Sequence, residues 1–160
     1  MENELDITDI AEKLEATARM VWVGFCDENL ERIDTLPPES EKWRIKSACT
    51  HILGGFFGSV SVEMEMVLLQ KMSKYMMREE ETSNDDMNSV VREFVNVISG
   101  NLKVNLSSEH SILSAPKEFD QVGYGFTLPD SKAIATIMFK AESGILVVKL
   151  HQATRPELHS

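Results

Sequence analysis

Residues 86–102, DMNSVVREFVNVISGNL, form the clearest helical pattern in the chain. Successive residues of an α-helix are about 100° apart around its axis, which sorts these side chains onto two sides. We predict a helix from about Asp86 to Leu102 or slightly beyond, with its apolar side on the core. That side consists of Met87, Val91, Phe94 and Ile98, bordered by Val90 and Val95. The opposite side spans about 60° and carries a set that we call the polar stripe, namely Ser89, Glu93, Asn96 and Gly100.

The polar stripe has a structural and a functional explanation. Exposed Glu and Asn residues commonly do no more than solvate a helix. However, Asn is unfavourable inside a helix, and a glycine there costs about 1 kcal/mol relative to alanine. Either function or an early helix end, with Gly100 and Asn101 as the C-cap, would account for both residues. In the functional explanation Glu93 and Asn96 act as neighbours, and small flanking residues let the backbone of another protein approach.

The segments before this helix alternate between helical and strand patterns. Asp6 and Thr8 can cap a first helix that runs to about Gly24 or Cys26, and prolines interrupt the chain at 37–38. A β-hairpin is predicted over 43–66, with a glycine-rich turn at 54–58. Its second strand alternates apolar and polar residues, which is typical of a half-buried strand. A helix over 67–78 and an acidic link over 79–86 then lead to the stripe helix.

The segments after the stripe helix are short and favour strands. Two β candidates, 112–119 and 124–128, lie around Pro116 and Pro129, and a strong hairpin pairs 132–139 with 145–151. The order of elements predicts an α+β fold in which helices pack on one face of an antiparallel-rich sheet. We expect one domain over residues 1–160, with the first helix and a linker in 1–38 and a frayed tail at 154–160.

Composition excludes several functions. The 160 residues include 26 acidic and 16 basic side chains, which gives a formal net charge of −10. Nucleic acids and anionic membrane surfaces require a basic footprint, so neither is an expected partner. The acidic start and the lack of a long apolar run predict a cytoplasmic protein. Cys26 and Cys49 are then expected as reduced thiols, with a disulfide between them as the alternative. The four histidines show no metal-ligand spacing, and no metal site is predicted.

The stripe helix resembles a known motif. Residues 89–96, SVVREFVN, followed by Ile98 and Gly100-Asn101, are similar to the signature helix of the CheC/CheX/FliY chemotaxis phosphatases. That motif is Asp or Ser, three residues, Glu, two residues and Asn, with a proline downstream, for which Pro116 is the candidate. The helix over 67–78 has no Glu-x-x-Asn. A single copy of the motif makes the CheX type the closer likeness.

The resemblance implies a phosphatase that removes the aspartyl phosphate of a CheY-like response regulator. It implies that Asn96 orients the attacking water, that Glu93 pairs with a lysine of the regulator, and that Ser89 and Gly100 lie at the rim of the contact. It implies no cofactor in this chain, since Mg²⁺ would belong to the regulator. It also implies a homodimer formed through sheet edges, for which 133–139 and 145–150 are the candidate strands.

Two other functions remain open at this stage. In the first, the domain is a non-catalytic binding module that sequesters a response regulator or a flagellar component. In the second, a small molecule binds in an apolar pocket on the sheet and the polar stripe is incidental. If an acidic receiver is the partner, long-range attraction contributes little, and recognition depends on short-range fit.

Overall fold

A computed structural model describes residues 6–154, and its elements follow the predicted order of helices and strands. The described residues form three α-helices, α1 (Ile7–Trp22), α2 (Met66–Met77) and α3 (Asn84–Leu106), and a 3₁₀-helix at Pro38–Lys42. They also form seven strands, β1 (Glu31–Ile33), β2 (Arg44–Gly54), β3 (Gly58–Glu65), β4 (Ser111–Leu113), β5 (Lys117–Val122), β6 (Ser131–Lys140) and β7 (Ile145–Ala153).

All seven strands belong to one antiparallel sheet, in the order β1-β6-β7-β3-β2-β4, with β5 also on β2. β2 pairs with β3 on one edge, while β4 and β5 share its other edge. The break between these two short strands falls at Pro116, because proline lacks the amide donor that a continuous strand needs. α1 and α2 each contact α3, and all three helices contact the sheet. The structure therefore confirms the predicted α+β fold.

The apolar side of α3 is the centre of the core. All six residues predicted for it are buried. Phe94 is fully buried and meets Trp22 and Phe25 edge-on, with ring centroids 6.0 and 5.2 Å away. Beneath the helix lie buried β2 and β3 side chains, including Ala48 and Val62, which are cross-strand partners. These contacts hold α3 against the middle of the sheet, so its outer side faces away from the core.

α3 is longer than the sequence pattern indicates. Ser83 and Asp86 form a capping box, in which each side chain accepts a hydrogen bond from the other residue's backbone N–H at 3.1 and 3.3 Å. The helix then continues without a break past Gly100 to Leu106. The alternative that Gly100 and Asn101 end the helix is therefore wrong. Gly100 lies inside a helix, where its low helix propensity has no capping explanation.

The expectation of a half-buried β3 is wrong. Its polar residues Ser59, Ser61 and Glu63 are buried, as are its apolar ones. The chain between β5 and β6 passes over the sheet face opposite the helices, which we call the far face. Its amides at Gly125 and Phe126 both donate to Oε1 of Glu63, at 2.6 and 2.7 Å. β3 is therefore covered on both faces, and each of its buried polar side chains has a partner inside the protein.

The segment that provides this cover was predicted as a strand over 124–128, and that prediction is also wrong. Gly123 and Gly125 have φ values of 76° and 132°. Such left-handed backbone conformations favour glycine and interrupt a ladder. The segment instead binds the far face through side-chain and backbone polar groups, including the hydroxyl of Tyr124, which donates to the carbonyl of Ile145 at 2.7 Å.

Other boundaries differ in smaller ways. α1 ends at Trp22, and the chain turns through Phe25, whose N–H donates to the Trp22 carbonyl at 2.8 Å. β1 was not predicted, since three residues are too short for a recognisable period. Cys26 and Cys49 are buried free thiols, and burial raises the pKa of both. The predicted frayed tail lies almost wholly outside the described residues.

The two strands proposed as dimer edges differ in position. β7 lies between β3 and β6, so it is a central strand and the expectation that 145–150 forms an edge is wrong. β6 is paired with β1 only at Met138–Lys140. Within the described chain, the outer side of residues 131–137 has no strand partner. Of the two proposed strands, β6 is the one with an open edge of the kind that strand pairing with another chain requires.

Candidate functional site

The polar stripe lies on the outer side of α3, as the helical pattern predicts. Ser89 and Glu93 are exposed, while Asn96 and Gly100 are partly exposed. The apolar side of α3 fixes this orientation, because rotating the helix would expose side chains that are now buried. The four residues therefore form one accessible surface along the outer side of the helix.

Glu93 and Asn96 differ from their polar neighbours in lacking internal partners. Arg92 donates to Oε2 of Glu118 at 3.0 Å, Ser99 to the Val95 carbonyl at 2.7 Å, and Asn101 to the Val97 carbonyl at 2.8 Å.

By contrast, the side chains of Glu93 and Asn96 make no hydrogen bond or ion pair with any residue in 6–154. Their carboxylate and carboxamide are thus available to a second molecule.

The β4–β5 edge borders the stripe on one side. Leu113 of β4 approaches Gly100, since a Cβ built on that glycine would lie 4.0 Å from Leu113 Cδ1. Glu118 of β5 pairs with Arg92. The connection between these strands, which contains Pro116, therefore runs alongside the middle of the stripe. Burial raises the pKa of Glu118, but the hydrogen bond and charge of Arg92, a backbone hydrogen bond and the charge of Lys46 together hold that pKa below its usual value.

Gly100 has nearly open space beside it on the outer side of α3. Leu113 Cδ1, at 4.0 Å, is the only described atom that an added Cβ would meet there. The protein's own packing therefore does not require glycine at this position. Because glycine has no side chain, it leaves the surface beside Asn96 free of bulk, and this is a reason for glycine that remains.

A separate cleft of about 440 Å³ lies at the far face. His51 and Ser59 belong to its wall and are joined by a 2.6 Å hydrogen bond between Nδ1 and Oγ. Its other lining residues include Leu53, Phe57, Leu128 and Pro129, and none comes from α3. The cleft has the character expected of an apolar pocket on the sheet, but it shares no residue with the polar stripe.

Residues 6–154 contain no cluster of three or more His, Cys, Asp or Glu side chains suited to a metal ion. In the same residues, every helix is too short or too polar to cross a membrane.

An antiparallel sheet with helices packed on one face is the α+β fold of the CheX class of chemotaxis proteins. The family model "Chemotaxis phosphatase CheX" matches residues 47–140, and the chain belongs to the CheX family. The match begins in β2 and ends with β6, so it includes the whole of α3 and the β4–β5 edge. Among functionally curated proteins, no sequence matches significantly.

Solved structures show the same fold at low sequence identity. The chemotaxis protein CheX from Vibrio vulnificus has a TM-score of 0.74 at 15% identity, covering 92% of this chain and 98% of its own. CheX from Desulfovibrio desulfuricans has a TM-score of 0.69 at 19% identity, covering 89% and 97%. A CheX–CheY–BeF3–Mg²⁺ complex from Borrelia burgdorferi matches with a TM-score of 0.65 at 15% identity, covering 93% and 99%.

Proposed function

We propose that this protein dephosphorylates the aspartyl phosphate of a CheY-like response regulator. The observation that carries the proposal is the pair Glu93 and Asn96, adjacent on the outer side of α3 and without partners in the described chain. Membership of a phosphatase family and the fold shared with a CheX bound to CheY support it.

In this proposal Asn96 enters the regulator's active site and orients a water molecule. A carboxamide both donates and accepts hydrogen bonds and does not titrate, so it can hold water in line with the phosphorus. The water oxygen bonds to phosphorus while the bond from phosphorus to the aspartyl oxygen breaks, which releases inorganic phosphate and restores the carboxylate. Mg²⁺ on the regulator neutralises the phosphoryl charge. The contribution of this chain is therefore positioning.

Glu93 has the complementary role of docking. Its carboxylate would pair with a lysine of the regulator, and an ion pair shielded from water fixes register. Ser89 and Gly100 form the rim and let the two surfaces approach. Arg92 holds Ser89 in place, with Nη2 3.4 Å from the serine Oγ. The single Glu93–lysine pair suits a partner that is itself acidic, since little long-range steering is available.

The test follows phosphate release from purified, phosphorylated regulators in the presence of Mg²⁺. Wild-type protein should accelerate release. Asn96→Ala should bind the regulator but lose the acceleration, by about 100-fold if water positioning is its main role. Glu93→Ala should weaken binding and raise KM. Acceleration by Asn96→Ala equal to wild type would contradict the water-positioning role.

The same assay distinguishes the alternative of a non-catalytic binding module. A sequestering protein would bind the phosphorylated regulator without shortening the lifetime of the phosphate. In that case Glu93→Ala would still weaken binding, whereas Asn96→Ala would change nothing. Binding measured beside phosphate release therefore separates the two functions.

The proposal includes a cytoplasmic homodimer that pairs through β6. The outer side of residues 131–137 is an open strand edge within the described chain. Ala135 is buried, so replacing it would test packing rather than strand pairing. Thr136→Pro is the better variant, because proline disrupts strand pairing. Sedimentation should show the wild-type dimer converted to a monomer. A dimer unchanged by this substitution would exclude the β6 edge.

A further inference from the structure

One lysine of β2, on the helix side of the sheet, is buried. The sequence pattern of β2 does not predict this burial. Lys46 is only 1% exposed. Its cross-strand partners are Met64 of β3 and Asp120 of β5. It is therefore located beneath α3, where the helix passes over the sheet.

Three side-chain oxygens lie around the ammonium group of Lys46, two as hydrogen-bond acceptors and one as an ion-pair partner. Nζ lies 2.6 Å from Oδ1 of Asn88, 2.6 Å from Oδ1 of Asp120 and 3.4 Å from Oδ1 of Asn84. Asn84 and Asn88 are one turn apart in α3. A single buried cation thus connects β2, β5 and the first two turns of the stripe helix.

A second connection lies one turn further along α3. Arg92 pairs with Glu118 of β5 at 3.0 Å and contacts Ser89. Together, Lys46–Asn88–Asp120 and Arg92–Glu118 attach the stripe helix to the β4–β5 edge at two levels. The Lys46 connection has a buried charge, whereas the Arg92 connection is half-exposed. The Lys46 connection should therefore restrict the movement of α3 more strongly.

We propose that Lys46 is a positioning residue for the phosphatase reaction. Its ammonium group fixes the N-terminal half of α3 against β5, and so sets where Glu93 and Asn96 lie relative to the β4–β5 edge. The inference rests on the proposed function. It predicts that removing the charge displaces Asn96 in the complex, and a displacement of about 1 Å can cost about 100-fold in rate.

The test compares the buried Lys46 with the partly buried Lys149. Lys46→Met removes the ammonium but keeps a long apolar side chain, and the partners Asn84 and Asp120 are exposed enough to be solvated. The matched control is Lys149→Met on the far face, where Nζ lies 3.1 Å from Oε2 of Glu63 and the lysine is 14% exposed. Both variants are assayed below their unfolding transitions, and only samples with wild-type circular dichroism are compared.

Lys46→Met should lower kcat for regulator dephosphorylation by tenfold or more, with a smaller change in KM. Asn88→Ala, which removes one acceptor, should lower kcat less and in the same direction. Lys149→Met should keep the wild-type kcat, even if it unfolds at a lower temperature. Hydrogen exchange should become faster at the amides of residues 87–89, which are within the first hydrogen-bonded turns of α3, in Lys46→Met and remain unchanged there in Lys149→Met.

Two results would overturn the inference. One is a Lys46→Met protein with wild-type kcat and KM, and the other is an equal loss of kcat in Lys149→Met. Failure of the proposed function appears differently, since the wild-type protein itself would then accelerate no regulator's dephosphorylation. Unchanged hydrogen exchange in Lys46→Met would exclude the positioning role by a readout that does not depend on activity.

Discussion

Two glutamates on opposite sides of the molecule show how one residue type serves two purposes. Glu63 is 0% exposed on the far face and accepts hydrogen bonds from Gln121, Gly125 and Phe126, at 2.8, 2.6 and 2.7 Å. Glu93 on α3 is exposed and has no such partner in the described chain. The first carboxylate is used to hold the fold together, whereas the second is available for recognition.

The difference has a physical cause. A buried carboxylate must be satisfied internally, because leaving it unpaired away from water costs several kcal/mol. Lys149 supplies the opposite charge at 3.1 Å from Oε2, although without hydrogen-bond geometry. Glu93 is hydrated, so it needs no internal partner and can exchange water for a cation of another protein. Substitutions at the two sites should therefore separate stability from activity.

The largest stability effect is expected at Glu63. Glu63→Gln retains the size of the side chain but places a neutral amide beside Lys149, which then lacks its buried counter-charge. We expect a loss of about 3 kcal/mol or more in the free energy of unfolding, measured with urea. Glu93→Gln, the matched control, should change it by less than about 0.5 kcal/mol. Similar losses in both variants would mean that the contrast between the two faces is mistaken.

The next largest effect is on the pH dependence of stability, and it comes from a histidine on the same far face. His151 is 2% exposed, and its Nε2 lies 2.8 Å from the Oγ of Ser61. Burial, with a smaller contribution from the charge of Lys149, lowers the pKa of His151 to about 4. Between the unfolded pKa near 6.5 and this value, the unfolded chain binds a proton that the folded protein does not.

Stability should therefore fall as the pH drops through that range. The contribution of His151 is a loss of about 2 kcal/mol between pH 7.5 and pH 5. His151→Gln keeps a polar group for Ser61 but does not titrate, so its urea unfolding curve should depend less on pH. An equally steep dependence in this variant would assign the acid sensitivity to other groups.

The smallest effect is expected at Gly100, where one substitution should raise the stability of the protein and weaken its binding to the regulator. Gly100→Ala adds a methyl group that meets only Leu113 at 4.0 Å among the described residues. The helix should gain up to about 1 kcal/mol of stability. If a regulator approaches closely at this point, its binding should weaken in the same variant.

Gly58 is the matched control for Gly100 because its surroundings are closed. A Cβ there would lie 2.1 Å from the carbonyl oxygen of His151. Gly58→Ala should therefore destabilise the protein. If Gly100→Ala stabilised the protein and bound the regulator as tightly as wild type, Gly100 would not be part of the rim.

Local periodicity was sufficient to predict α3 and its two sides. The apolar residues recur at helical spacing, and burial of that side leaves Glu93 and Asn96 outside. The fold class followed from the order of elements. These features depend on residues that are close in sequence, for which pattern and structure agree.

Features that depend on distant segments were not predictable from local patterns. Glu63 lies on the polar side of an alternating strand, and the half-buried pattern predicted exposure, but the segment after β5 covers it. Lys46 lies in a strand whose sequence does not separate a polar from an apolar side, and α3 covers it. The central place of β7 has the same origin. The functional roles of the stripe residues came from family resemblance, because spacing alone does not distinguish a solvated helix from a binding surface.

The place of β7 in the sheet also bears on how the protein is made. β7 is the last described strand along the chain, yet it pairs with β3 on one side and β6 on the other. During synthesis, β3 must wait with one edge unpaired until residues 145–153 leave the ribosome. Exposed strand edges promote aggregation, and pairings between distant segments form slowly. Chains that end before β7 should therefore depend on chaperones, whereas chains that contain β7 and have left the ribosome can close the sheet.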